Sequence, residues 1–237
     1  MDKHAINKAR AVYYGLFASL LTGVENPDRL DVMVQTIEKL IQNPLDEHSQ
    51  KALNNMLTML SEGGHKALKE ENDNVFFNPY SGFIPVTASY YDEKRDDGKK
   101  RLEMVNYVLQ STFRRDTETF KELEDHIGFI VLFMQKLIEA ELAGDMNAGQ
   151  LSAKVFTTVL NGFIDEFIAN LHRHPSSCFY AEFAVVLHVF IELERLYLGV
   201  SRPAKEVETN IVTFEKKVRK EFQKRGKRDI DEMTTGL

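Results

Sequence analysis

From Glu124 to Leu142 the chain reads EDHIGFIVLFMQKLIEAEL. Ile127, Phe129, Ile130, Val131, Leu132, Phe133, Met134, Leu137 and Ile138 leave it almost no polar face. The run is too long for one buried strand, and a helix apolar nearly all round is buried inside a bundle. Ala143-Gly144-Asp145 ends it.

The flanking segments carry helical periods. Residues 152–171 place Val155/Phe156, Val159/Leu160, Phe163/Ile164, Phe167/Ile168 and Leu171 on one wide face, which predicts a single helix. After the break at Pro175, a further buried helix is expected from about Phe179 to Leu198, closed by Gly199 and Pro203. On the other side, periodicity predicts helices over 9–21, from Pro27 to about Ile41, from Asp46 to about Leu60, and from Lys99 to about Phe113. Gly63-Gly64 is expected to end the third. No strand-period run and no internal repeat occurs. The fold class is therefore all-α, a helical bundle of about nine helices.

Residues 72–98 differ. Asn72, Asp73, Asn74, Asn78-Pro79, Gly82, Pro85 and Asp97-Gly98 are loop formers, interleaved with Val75, Phe76, Phe77, Tyr80, Phe83, Ile84, Tyr90 and Tyr91. A long loop between the third and fourth main helices that is this aromatic must pack on the core or present a binding surface.

The chain has 237 residues, 43% hydrophobic and 28% charged, which suits one folded domain over 1–200, or two packed lobes meeting near 114–126. Its formal charge of −6 gives no global pull toward nucleic acid or an anionic membrane. From Phe214 to Arg228, eight Lys/Arg stand against Glu215 and Glu221, a net +6 that leaves −12 on the remainder. With the weak stripe Val207, Ile211, Phe214 and Val218, residues 201–237 read as a basic amphipathic helix over 204–224 followed by a frayed tail. One cysteine, Cys178, forms no internal disulfide, and no apolar run approaches the roughly 20 residues of a membrane span. With no apolar leader at the start, the expected location is cytoplasmic, without stable membrane insertion.

Signs of chemistry are sparse. His172, His174 and Cys178 lack a fourth ligand or a partner motif, so they read as exposed turn histidines and a small buried thiol, with no metal site. Phosphate loops and nucleophile elbows are absent, so no catalytic residue and no cofactor is expected. Asp125-His126 stands out. Adjacent helical residues point about 100° apart, which rules out a dyad within the helix. Asp125 or Glu124 is instead expected to cap the helix N-terminus, with His126 turned into the bundle or toward the aromatic loop.

Three segments together resemble the TorD/DmsD-like family, cytoplasmic chaperones that mature and proofread exported molybdoenzymes. They are Arg10-Ala11-Val12-Tyr13-Tyr14-Gly15-Leu16-Phe17 near the start, Asn78-Pro79-Tyr80-Ser81-Gly82-Phe83-Ile84-Pro85-Val86-Thr87-Ala88-Ser89-Tyr90-Tyr91-Asp92-Glu93 in the loop, and Glu122-Leu123-Glu124-Asp125-His126 before the buried helix. Leu123 stands where the family motif has Pro. The resemblance covers roughly 5–200 and implies a TorD-like bundle and a groove for the client. That client is the twin-arginine signal peptide, the apo form of a molybdopterin oxidoreductase, or both, with formate dehydrogenase one candidate. The groove residues implied are Tyr80, Phe83, Pro85, Ser89, Tyr90 and Tyr91 on the loop, facing Glu122, Glu124, Asp125 and His126. Two other readings stay open: a nucleotide-binding helical protein with weak hydrolase activity through His126, and an adaptor docking through 204–224. Exchange of halves into a homodimer is compatible with such a bundle.

Overall fold

The computed structural model describes residues 2–22, 24–80, 82–118 and 120–204. Among these are nine α-helices: α1 Lys3–Thr22, α2 Leu30–Gln42, α3 Glu47–Asn72, α4 Ala88–Glu93, α5 Lys99–Gln110, α6 Ile127–Leu142, α7 Met146–Thr158, α8 Ile164–Arg173 and α9 Phe179–Leu198. No strand occurs among the described residues beyond one antiparallel bridge between Thr87 and His126. None of their helices is long and apolar enough to cross a membrane. The expected basic helix over 204–224 and the tail lie outside the described residues, apart from Ala204.

The apolar run of α6 is central, as its composition requires. Ile127, Ile130, Met134, Leu137 and Ile138 have no accessible surface. The first helix packs along α6, and α3 packs along α9. Gly128 allows the first of these contacts: a Cβ there would lie 2.2 Å from Thr22 Cγ2 at the end of α1. An aromatic cluster then joins α1 to α9, with Phe190 4.9 Å from Tyr14 and 5.1 Å from Phe17 between ring centroids. At the other end of this interface, the buried Arg10 guanidinium forms a two-pronged bond to Glu194, at 2.7 and 2.6 Å. Asn7 Oδ1 accepts from Arg10 at 2.8 Å and the Tyr14 hydroxyl donates to Glu194 at 3.0 Å. The pair therefore meets the condition for burying charge, which is that the remaining donors and acceptors are also used.

Three elements differ from the periodicity. Gly63-Gly64 does not stop α3. Gly64 adopts φ 60°, ψ −162°, a kink, and the helix resumes to Asn72 because Leu68 still has a core to enter. The stripe 152–171 is two helices rather than one. The break follows Thr157-Thr158-Val159, three β-branched residues, and a 3-10 turn Leu160–Gly162 turns the chain while both halves keep facing the core. Asn161 holds that turn, accepting from Arg195 Nε at 2.8 Å and donating to the Ser201 carbonyl at 3.0 Å. Finally, the irregular part of 72–98 is shorter than expected. Asp73–Phe77 continues α3 as a π-turn, and α4 begins at Ala88.

Cys178 precedes α9 without capping it. The cap comes from α3: the Glu71 carboxylate accepts from the backbone N–H of Cys178 and Tyr180 at 2.8 Å and of Phe179 at 3.0 Å. Removing the carboxylate in Glu71→Ala orphans three N–H groups and should lower stability by about 1–3 kcal/mol, read as a shift in urea unfolding midpoint. An unchanged midpoint would show that water serves these groups equally well.

Candidate functional site

The loop leading into α4 and the segment leading into α6 run side by side. Ile127 N donates to Val86 O at 2.7 Å and Ala88 N donates to Asp125 O at 2.9 Å. The Asp125 side chain is fully buried, and its Oδ2 accepts from Ser89 N at 2.9 Å. Asp125 thus serves the N-terminus of α4, whose own N-cap residue Thr87 makes no such bond. Ser89 Oγ accepts in turn from Arg101 N at 3.2 Å, which attaches α5.

The expectation that Asp125 or Glu124 caps α6 is corrected here. His126 is the cap: its Nδ1 accepts from Gly128 N at 3.0 Å. Asp125 is drawn away because the paired loop offers it a buried N–H that would otherwise be orphaned. Glu124 belongs to an ion-pair cluster with Arg101 at 2.9 Å and Arg115 at 3.2 Å. Burial pushes its carboxyl up, but the bond from Arg101 and the nearby Arg115 hold it below the usual range.

His126 is buried, in edge contact with Phe120 at 6.1 Å between centroids. Burial alone pushes its pKa down to about 4. The ring lines a cavity of about 270 Å³ with Leu21, Val24, Phe76, Phe77 and Phe120, and with Glu25 and Glu122 among its polar residues. Glu122 is exposed, and Glu25 pairs with Lys69 at 2.9 Å.

The structure therefore gathers the residues expected at a groove into separate places. Glu122 and His126 share the cavity. Ser89, Glu124 and Asp125 lie at the joint. Pro85 and Tyr91 are core: Tyr91 stacks on Phe163 at 5.2 Å and donates from its hydroxyl to the Pro85 carbonyl at 2.9 Å. Tyr90 and Phe83 are half-buried, and Tyr80 is 85% exposed. Leu21, Val24, Phe76 and Phe120 were not singled out by sequence reasoning. Only Phe76 carried a signal, as part of the aromatic loop.

The histidine–cysteine cluster is also corrected. Cys178 is exposed, whereas His174 is buried with Nε2 3.2 Å from the Gly82 carbonyl, because the loop folds over it. A different trio, Asp165, His188 and Glu192, stands close enough to hold a cation. Its carboxylates are already paired, Asp165 with Arg195 at 2.8 Å and Glu192 with Arg195 and Arg202 at 2.5 and 2.8 Å, so the cluster is a salt-bridge network.

His126 makes stability depend on pH. Its folded pKa lies below the unfolded value of about 6.5, so its contribution is complete above that value and is lost as pH falls toward 4. Between pH 7 and 5 the loss amounts to about 2 kcal/mol. Urea unfolding at the two pH values should show this slope in the wild type and a shallower one in His126→Gln. Equal slopes would mean that His126 is solvated.

No curated protein matches the chain. A family model described as nitrate reductase delta subunit matches residues 24–170, well over half of the chain and inclusive of the joint and most of the cavity wall. With an all-helical bundle and this match, the chain belongs to the nitrate reductase delta subunit family, the TorD-like chaperones of molybdoenzyme maturation.

Proposed function

We propose that this chaperone binds the N-terminal twin-arginine signal peptide of an exported molybdoenzyme, together with the apo catalytic subunit behind it, and holds them in the cytoplasm until the cofactor is inserted. The observation that carries the reading is the cavity beside His126. It offers apolar walls from Leu21, Val24, Phe76, Phe77 and Phe120, with Glu122 among its lining residues. A signal peptide brings a cationic stretch beside an apolar one, and this combination answers both features. Tyr80 and Phe83 extend apolar surface along the same loop. Pro85, Ser89, Tyr90, Tyr91, Glu124 and Asp125 act by holding the loop and α6 in register. Formate dehydrogenase is one candidate client and, from the family's description, nitrate reductase is another.

The nucleotide reading is disfavoured by size and charge. Small-molecule sites have volumes of about 300–1,000 Å³. Among the described residues, Lys121 is the only cationic one that lines this cavity of about 270 Å³. Exchange of halves into a dimer would pass through 114–126, where the two lobes are expected to meet.

The test is titration of the full chain with a labelled twin-arginine peptide. Micromolar binding is expected, weakening as salt rises. Reversing the rim charge in Glu122→Lys should weaken it about three- to ten-fold at low salt. Absence of binding to the wild type would overturn the proposal. Deleting residues 205–237 separates the adaptor reading: peptide binding should persist without them.

A further inference from the structure

The polar groups around this cavity are unequally committed. Thr22 Oγ1 donates to Ala18 O at 2.7 Å, and Asn72 Nδ2 donates to the Tyr180 hydroxyl at 2.7 Å. Both belong to the cavity wall and both are spent. His126 is different. Because its Nδ1 accepts from Gly128 N, the proton of the neutral ring sits on Nε2. That Nε2–H makes no hydrogen bond among the described residues, and the ring, 7% exposed, lines the cavity. A donor at a cavity wall that only water serves can exchange that water for a ligand acceptor.

The space available limits the ligand. A cavity of roughly 150 Å³ already accommodates a benzene ring. At about 270 Å³, this one takes one or two large apolar side chains and no folded element. Its opening is flanked by Phe77, 66% exposed, which offers an apolar approach.

Resting on the client reading above, we infer that the cavity seats one large apolar side chain of an extended client segment, and that His126 Nε2–H donates to a backbone carbonyl beside that side chain. The specificity is then for an apolar residue at a fixed position in an extended backbone, with the acidic rim reading the neighbouring cation. His126 acts as a fixed neutral donor and positioning group, because burial keeps the ring uncharged well below neutrality.

The experiment uses fluorescence anisotropy with the full chain and a synthetic peptide carrying an arginine pair followed by a short leucine–alanine run. Replacing each leucine by serine in turn should expose one position at which affinity falls about ten-fold or more, with little change at the others. His126→Gln and His126→Phe both lose the α6 cap, but only Gln retains a donor. The Phe variant should therefore bind roughly five- to ten-fold more weakly than the Gln variant, with circular dichroism confirming that both are folded. Equal affinities for the two variants, or a uniform response to leucine replacement, would overturn this inference while peptide binding itself upheld the client reading. Failure of the peptide to bind the wild type would remove both.

Discussion

A carboxylate taken out of water must be held by hydrogen bonds, and the Asp125 carboxylate is held by the backbone N–H of Ser89. The arrangement around the cavity depends on that one bond and the two backbone bonds beside it. They fix the loop against the start of α6, so that Val86 lines the cavity and His126 is left to cap the helix. Ser89 extends the same chain of contacts to α5 through Arg101 N. A short helix such as α4 cannot be positioned by its own six residues. It is positioned by a carboxylate that belongs to another element.

Electrostatics elsewhere follows the same logic of committed partners. Arg10 and Glu194 are buried at the α1–α9 interface, and each charge is matched by a two-pronged contact and by neighbouring polar groups. Such a pair adds little net stability over an apolar one, but it rejects misregistered packing because a slipped helix would strand both charges. Arg195 plays a related part with Asp165, Glu192 and Asn161. Around the cavity, by contrast, His126 Nε2–H makes no hydrogen bond among the described residues.

Much of the bundle was legible in the sequence because burial leaves a period. The apolar run of α6 and the extent of α9 read directly, as did the helix starting at Asp46, whose side chain accepts from Ser49 N. Helix ends were less legible. Gly63-Gly64 reads as a stop because glycine permits left-handed backbone, yet whether the helix resumes depends on Leu68 finding a core. The stripe from Val155 to Leu171 keeps its phase across a break, because a turn that conserves the buried face leaves no mark in the pattern.

What the sequence alone determined was the all-helical class, the burial of α6 and the importance of the stretch from Glu122 to His126. These follow from local composition and period, which any one segment carries by itself. What only the tertiary structure decided was the division of labour within that stretch. Asp125 and His126 exchanged the roles expected of them because the partner of Asp125, Ser89, lies 36 residues away. The cavity likewise has walls from the end of α1, the end of α3 and the approach to α6. Periodicity reports which residues are buried, and it is silent on which distant segments are buried together.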